Sequence, residues 1–168
     1  KFEQNWGGFS GGALYIGQSS SPTLTDCVFE GNQSSTDSGG AVYSDDSSPT
    51  FNGCIFNDNS ATDHGGGMYV TVSQVVLNQC VFSNNYGHLY GGGLRSESSA
   101  VTISGCQFEN NRSQGGQGGG LYFDGGSLAM DNTNFVLNTA LSYGAAMYVG
   151  SCTGSIADCQ VANQVGGF

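Results

Sequence analysis

Three acidic side chains are the residues best placed for chemistry, because each stands two positions after a Tyr or an Arg. They are Asp45, Glu97 and Asp124. Glu97 and Asp124 are 27 residues apart, and in neighbouring coils of a solenoid they would be about 5 Å apart, as in the carboxyl pair of retaining glycoside hydrolases. Carboxylates also bind Ca²⁺, which prefers oxygen ligands. The row therefore suggests a carboxylate pair or a calcium site.

Cations and nucleophiles are scarce in this chain. The formal net charge is −10, and the basic residues are Lys1, Arg95 and Arg112. Enzymes that cleave acidic sugars need several cations, and His64 and His88 have no serine or cysteine nucleophile placed beside them. We therefore expect no catalytic residue and no enzyme activity, with a polysaccharide lyase or glycoside hydrolase as the alternative. We also expect no nucleic-acid partner and no cofactor other than calcium.

An aromatic row recurs once per repeat. It consists of Tyr15, Tyr43, Tyr69, Arg95, Tyr122 and Tyr148. Side chains alternate across a strand, so an inward aliphatic residue before each member would place the row on the outside. Exposed tyrosine rings bind sugar faces or pack against another subunit, and an arginine among them stacks on its neighbours. The row predicts an exposed site for glycans or lateral contacts, unless a turn segment covers the rings.

A repeat of 26 or 27 residues predicts the fold that must position these groups. Its phenylalanines are Phe2, Phe29, Phe56, Phe82, Phe108 and Phe135. The chain has 29 Gly, 10 Phe and 8 Tyr, and its short alternating runs between turn residues favour strands over helices. A period of this length is typical of solenoids. We predict an all-β, right-handed parallel β-helix of about six coils, with three short strands per coil and one domain over residues 1–168.

Two further columns are apolar in every copy and predict the core. One contains Leu14, Val42, Met68, Leu94, Leu121 and Met147, and the other contains Leu24, Phe51, Leu77, Ile103, Met130 and Ile156. Together with the phenylalanines they would stack about 4.8 Å apart in a continuous interior. A glycine block also recurs in each copy without a following Lys or helix. We expect it to allow tight corners and close packing, not to bind phosphate.

Cysteines form another inward column. Its members are Cys27, Cys54, Cys80, Cys106 and Cys159, with Thr133 in the one remaining copy and Cys152 outside the column. Two interpretations stay open for this column. The cysteines could be buried, reduced thiols, or neighbouring coils could be joined by disulfides such as Cys27 with Cys54 and Cys80 with Cys106. The chain has no metal-type Cys-x-x-Cys spacing, so we expect no zinc site.

An asparagine lies three residues after each phenylalanine of the repeat, and these asparagines form a further column. The members are Asn5, Asn32, Asn59, Asn85, Asn111 and Asn138. We predict a ladder in which side-chain amides bridge successive coils. Asn32 and Asn111 also lie in N-glycosylation sequons, Asn-Gln-Ser and Asn-Arg-Ser. A glycan on either residue would conflict with a buried ladder, so glycosylation is the alternative at these two positions.

The motifs resemble a known repeat. Phe29-x-x-Asn32 followed by Gly39-Gly40-Ala41-Val42-Tyr43 is similar to the repeats of chlamydial-type polymorphic outer membrane proteins and related surface proteins. The likeness covers every coil, although the glycine block departs from the pattern at Arg95 and Gly144. The resemblance implies a right-handed β-helix at a cell surface, where such proteins act as adhesins or passenger domains.

The composition indicates a cellular location, and the two chain ends indicate a mode of assembly. Low charge with many Gly, Ser, Asn and Tyr fits an extracellular or cell-surface solenoid, and no stretch is apolar enough to span a bilayer. Residues 161–168 match residues 2–9 at an offset of 159, and the start at Lys1 suggests a processed or excised chain. We expect a structural or adhesive module without membrane insertion, with a carbohydrate-binding module that uses the aromatic row as an alternative. Its partners would be glycans and either copies of itself stacked head to tail or flanking coils.

Overall fold

The computed structural model describes residues 1–166, and every regular element in that range is a β-strand. The strands, numbered β1 to β23 along the chain, form three parallel sheets. Sheet A contains β1 (Phe2–Glu3), β5 (Val28–Glu30), β9 (Ile55–Asn57), β13 (Val81–Ser83), β16 (Gln107–Glu109), β19 (Asn134–Val136) and β22 (Gln160–Ala162). Sheet B contains β2 (Trp6–Gly7), β6 (Gln33–Ser34), β10 (Ser60–Ala61), β14 (Tyr86–Gly87), β17 (Arg112–Ser113), β20 (Thr139–Ala140) and β23 (Val165–Gly166).

Sheet C is the widest of the three sheets. Its strands are β3 (Leu14–Ile16), β4 (Thr23–Thr25), β7 (Val42–Asp45), β8 (Thr50–Asn52), β11 (Met68–Thr71), β12 (Gln74–Asn78), β15 (Leu94–Ser104), β18 (Leu121–Asp131) and β21 (Met147–Ala157). Each strand pairs with its counterpart one repeat away, for example Phe56 with Phe82 and Met68 with Leu94. This register confirms the predicted β-solenoid of about six coils.

The predicted number of strands per coil is correct only for the last three coils. The first three coils have four strands each, because sheet C is divided there by an unpaired bend. From β15 onward the two parts merge into single strands of 11 residues. Pairing continues across the bend between β15 and β18, on both sides of Ser98 and Gly125, which keep a positive φ.

The core consists of the predicted columns. Phe29, Phe56, Phe82, Phe108 and Phe135 are fully buried. Their rings lie nearly parallel, with centroids 4.4 to 4.9 Å apart. The two aliphatic columns are buried in the middle coils, whereas Ile156 in the last coil is 49% exposed. A continuous interior therefore forms by stacking identical positions at the strand spacing.

Each coil turns at backbone positions in the left-handed region. The residue before each ladder asparagine has a positive φ, as Asp58 and Asn84 show, and so does the residue before each cysteine of the column. The first glycine of each block is a third such corner, where Gly65 has φ 62° and a Cβ would lie 2.2 Å from the Met68 carbonyl oxygen. Glycine is thus required at that corner by geometry. No helix in residues 1–166 is long and apolar enough to cross a membrane.

Candidate functional site

The aromatic row lies on the outer face of sheet C in the predicted register. Tyr15 pairs with Tyr43, Tyr43 with Tyr69, and Tyr69 with Arg95. Arg95 then pairs with Tyr122, and Tyr122 pairs with Tyr148. The alternation of side chains along these strands therefore places the six residues in one line, with Val42, Met68 and Leu94 pointing inward beside them.

The predicted exposure of this row is wrong in its middle. Tyr69 and Tyr122 are each only 8% exposed, whereas Tyr15 at one end is 54% exposed. The cover comes from the corner before the glycine block, where His64 and Tyr90 form a parallel bridge and lie over the sheet. The His64 ring is 5.2 Å from the Tyr90 ring and 6.2 Å from the Tyr69 ring. A turn segment thus covers the centre of the row.

The orientation of the rings decides what they can contact. Tyr15 and Tyr43 stack with centroids 5.4 Å apart and planes 7° apart, and Tyr122 and Tyr148 stack at 4.8 Å and 9°. Neighbouring rings therefore cover one another's faces along the solenoid axis. A sugar that stacks on an aromatic residue needs an open ring face. Except at Tyr15, which stacks on one neighbour only and is 54% exposed, the row therefore offers ring edges and hydroxyl groups to a ligand.

Arg95 sits in a cage of three tyrosines. Its guanidinium carbon lies 5.3 Å from the ring centroids of Tyr69 and Tyr122, and 5.4 Å from that of Tyr90. The predicted stacking of this arginine on its neighbours is therefore confirmed. Tyr90 also stacks on Tyr122 at 4.9 Å, so this corner residue supplies the aromatic ring that the row lacks where Arg95 interrupts it. Cation–π contacts in such a desolvated setting contribute about 2 kcal/mol.

Two members of the acidic row accept hydrogen bonds from the aromatic row. Glu97 Oε2 accepts hydrogen bonds from the Tyr69 hydroxyl at 2.6 Å and from Arg95 Nη2 at 3.0 Å. Asp45 Oδ2 accepts one from the Tyr15 hydroxyl at 3.2 Å. Glu97 and Asp124 are register partners, as predicted, whereas Thr71 separates Asp45 from Glu97. Residues 1–166 contain no group of three His, Cys, Asp or Glu side chains able to hold a metal ion.

Burial changes the titration of the groups in this cluster. Desolvation, followed by the charge of Arg95, lowers the pKa of His64 to about 4. His64 Nδ1 and Arg95 Nε are buried without a hydrogen-bond partner in the described chain. Burial, followed by the Asp45 charge, raises the pKa of Tyr43 to about 12. Burial and the hydrogen bond to Glu97 also raise the pKa of Tyr69. At neutral pH the cluster therefore contains neutral phenols and a neutral imidazole around one Arg–Glu ion pair.

The asparagine ladder is confirmed. Asn85 Nδ2 donates to Asn111 Oδ1 at 2.9 Å, and the same oxygen accepts the Asn85 backbone N–H at 3.1 Å. Asn32 and Asn111 are 1% and 0% exposed, and each donates its Nδ2 to the next asparagine and to a backbone carbonyl. In the folded chain both Nδ2 protons of each residue are used in hydrogen bonds, which favours the ladder at these two sequons; glycosylation there stays a prediction.

All cysteines of the column are thiols in this structure. Cys54, Cys80 and Cys106 are buried, whereas Cys27 and Cys159 at the two ends are partly exposed. Cys106 Sγ accepts the Cys80 backbone N–H at 3.3 Å. Contact with the neighbouring thiol of Cys80 and burial raise the pKa of Cys54. Cys54, Cys80 and Cys106 also donate their thiol protons to backbone carbonyl oxygens. The middle of the column therefore consists of buried, hydrogen-bonded thiols, which is the first of the two interpretations of the sequence.

A serine ladder at a fourth corner is absent from the sequence-based prediction. Ser47, Ser73 and Ser99 are buried. Ser73 Oγ accepts the Ser47 N–H and Ser99 Oγ accepts the Ser73 N–H, both at 3.1 Å. Their constant spacing of 26 residues is visible in the sequence, but serines are also frequent in the loops. His64 and Tyr90 were likewise missed as parts of the cluster, since the corner before the glycine block varies from coil to coil.

The fold and its internal ladders define a parallel β-solenoid built from one repeated coil. The chain belongs to the family of right-handed β-helix regions, whose model matches residues 1–140 and 62–168. No curated protein and no solved structure matches the chain. The family match supports the predicted relationship to parallel β-helix proteins. The family resemblance to chlamydial-type repeats and the expected absence of catalysis stay predictions.

Proposed function

We propose that this chain is an extracellular structural and adhesive β-helix module that associates end to end with further coils of the same kind. A surface role is supported by the low content of charged residues, by the abundant Asn, Ser and Tyr, and by the repeat itself. The stacked core and the ladders make the solenoid a rigid support, and such extended rods present long surfaces to other molecules. The observation that carries the association is the distribution of exposed apolar side chains.

Exposed apolar side chains concentrate in the first and last coils. Trp6 and Phe9 in the first coil are 77% and 80% exposed. In the last coil, Ile156 and Val161 are 49% and 55% exposed, although their counterparts in the middle coils are buried. Within residues 1–166, the first and last strands also present sheet edges with unpaired outward backbone groups. Such edges pair readily with another strand, of a flanking coil or of a second copy.

Strand counts define the joint between two copies. Sheets A and B have seven strands each, whereas sheet C has six levels along the axis, from β3 to β21. A second copy that places its β1 on β22 would extend sheets A and B and leave an opening one strand wide in sheet C. The part of the predicted head-to-tail match at 167–168 lies outside the described residues. The joint we propose therefore rests on two sheets and on the aromatic side chains of the first coil.

Edge-blocking variants test this association. In a parallel ladder, N–H groups alternate in direction, so the Val161 N–H points away from its partner Phe135 and towards the free edge. Val161→Pro removes that donor without removing a bond within the chain, and Val161→Thr keeps it. We expect concentration-dependent oligomers by analytical ultracentrifugation and short filaments by electron microscopy for wild type and Val161→Thr, but not for Val161→Pro. A wild type that stays monomeric at high concentration would overturn the proposal.

Glycan contact, in this proposal, involves hydroxyl and carboxyl groups because most ring faces of the row are covered. Tyr15 is exposed at one end and its hydroxyl bonds to Asp45, so this pair presents a donor and acceptor surface. A glycan array should therefore show binding to neutral sugars that Tyr15→Phe weakens and Tyr143→Phe leaves unchanged. Equal binding by both variants would remove this part of the proposal. Antibody labelling of intact cells tests the surface location.

A further inference from the structure

Aromatic rings form a continuous series along the outside of sheet C. At one end Tyr15 is 54% exposed and lies 5.4 Å from Tyr43. Tyr43 lies 5.1 Å from Tyr69, which is nearly buried. All three are phenols, which together with indole and thiolate are the side chains that lose a single electron most readily. The first coils therefore connect an exposed phenol to a shielded one through one intermediate ring.

The series continues past Arg95 by way of the corner residues. From Tyr69 it passes to His64 at 6.2 Å and then to Tyr90 at 5.2 Å. Tyr90 lies 4.9 Å from Tyr122, and Tyr122 lies 4.8 Å from Tyr148. No step between neighbouring rings of this series exceeds 6.2 Å between centroids. Tyr69 is thus joined to both ends of the solenoid by neighbouring rings, which are stacked except for the Tyr43–Tyr69 pair, whose planes are 39° apart.

Tyr69 and Tyr15 each have a base placed to receive the phenolic proton. A phenol that loses one electron becomes a strong acid, so its oxidation is easiest when the proton can leave at the same time. Glu97 Oε2 lies 2.6 Å from the Tyr69 hydroxyl, and Asp45 Oδ2 lies 3.2 Å from the Tyr15 hydroxyl. Both distances are within reach of proton transfer. Arg95 Nη2 lies 3.0 Å from the same Glu97 oxygen, so the carboxylate is held in place against the Tyr69 hydroxyl.

We propose that this aromatic series is a relay for one-electron oxidation, and that Tyr69 with Glu97 is the site where the radical comes to rest. An oxidising radical, such as the azide radical, takes one electron from Tyr15 and becomes an anion, and the Tyr15 proton passes to Asp45. An electron then moves from Tyr69 through Tyr43 to Tyr15, which recovers its proton from Asp45. Tyr69 gives its own proton to Glu97. The products are the reduced oxidant, a Tyr69 phenoxyl radical and a protonated Glu97.

Two features favour Tyr69 as the resting site. Its hydrogen bond to Glu97 is the shorter of the two phenol–carboxylate bonds, so proton release is best prepared there. Its low exposure, 8%, and the cover of His64 and Tyr90 keep a radical away from coupling with other molecules. An oxidising equivalent that reaches an exposed phenol would therefore move to the covered Tyr69. This keeps it away from the surface and from the partly exposed thiols of Cys27 and Cys159.

Pulse radiolysis of the full chain with azide radical tests the relay. We expect radical absorption to form first on the exposed indole of Trp6 and on several tyrosines. It should then converge on one long-lived radical, which freeze-quenched electron paramagnetic resonance shows as a single hydrogen-bonded tyrosyl signal. Tyr69→Phe should abolish the long-lived signal. Glu97→Gln should shorten its lifetime, because the proton acceptor is lost. Tyr143→Phe removes a phenol that is 67% exposed and outside the series, and it should leave the signal unchanged.

A second variant keeps the test decisive if Tyr69→Phe unfolds the corner. Tyr43→Phe retains the Tyr69–Glu97 pair but removes the phenol between Tyr15 and Tyr69, so the convergence onto Tyr69 should slow. Long-lived radicals with the same yield and spectrum in folded Tyr69→Phe would overturn the relay. So would a wild type in which the radicals stay distributed over the exposed tyrosines until they decay.

Discussion

The strongest stability prediction concerns Asn85 in the middle of the asparagine ladder. Its Nδ2 donates to Asn111 Oδ1 and to the Phe56 carbonyl oxygen, both at 2.9 Å. Its Oδ1 accepts from Asn59 Nδ2 at 3.0 Å and from the Asn59 backbone N–H at 3.1 Å. One side chain thus makes hydrogen bonds to three other residues, and it is only 1% exposed. Asn85→Ala removes all of these bonds at once.

The expected cost follows from those bonds. Each net hydrogen bond contributes about 1 kcal/mol, and a buried donor left without a partner costs about 1 to 3 kcal/mol. Asn85→Ala loses two donated and two accepted hydrogen bonds and leaves donors of Asn59 without a partner. We therefore expect the free energy of unfolding to fall by about 5 kcal/mol, a large part of the 5 to 15 kcal/mol typical of a domain. Asn5 is exposed and its side chain donates only to Asn32 among the described residues, so Asn5→Ala should cost about 1 kcal/mol.

Urea unfolding followed by circular dichroism measures the two variants, with amide hydrogen exchange locating the affected coils. Asn85→Ala should also speed exchange at Asn59 and in the neighbouring coils, because solenoid stability is transmitted between adjacent repeats. An Asn85→Asp variant adds a second signature. Its buried carboxyl group should have a raised pKa, so this variant should gain stability as the pH falls. An equal loss of unfolding free energy in Asn85→Ala and Asn5→Ala would show that the buried ladder does not stabilise the chain.

Three further predictions use the same urea assay. Val72 is exposed and has φ 48°, a left-handed conformation that strains a β-branched residue and that asparagine tolerates. Val72→Asn should therefore raise the free energy of unfolding by about 1 kcal/mol, and a decrease would show that Val72 is not strained. Ser96→Ala should be neutral or stabilising, since Ser96 Oγ is buried without a partner in the described chain, whereas Ser99→Ala should cost about 1 to 2 kcal/mol. The His64 pKa is lowered to about 4, so the stabilisation linked to neutral His64 is present above pH 6.5 and is lost as the pH falls towards 4. His64→Phe should remove about 1 to 2 kcal/mol of this pH dependence after solvent screening, and an unchanged pH dependence would contradict it.

Periodic positions were predictable because each carries its signal once per coil. The phenylalanine and asparagine columns have constant spacing and constant residue type, so parity and register follow from the strand period. Exposure of the aromatic row was not predictable in the same way. Tyr69 is covered by His64 and Tyr90, which belong to a corner whose residue type changes from coil to coil. A local motif such as the Asn32 sequon likewise carries no information about burial.

Breaks in the repeat show which property of each column the fold requires. Thr133 replaces cysteine, yet its Oγ1 still accepts the Cys106 backbone N–H at 3.4 Å. Gln164 replaces asparagine, and its Oε1 still accepts the Asn138 N–H at 2.9 Å. Each corner therefore selects an acceptor of suitable reach, because the amide after a left-handed residue must bond to the next coil.

Arg95 breaks the repeat in a different way, and this difference separates it from the ladder residues. It does not preserve the chemistry of the tyrosine that it replaces, since it brings a charge, an ion pair with Glu97 and a new ring contact from Tyr90. A column that served only packing would be satisfied by another tyrosine at this position. The cost of burying a guanidinium and leaving its Nε unpaired in the described chain therefore points to the cluster around Arg95 as the part of the solenoid where chemistry was added to the repeat.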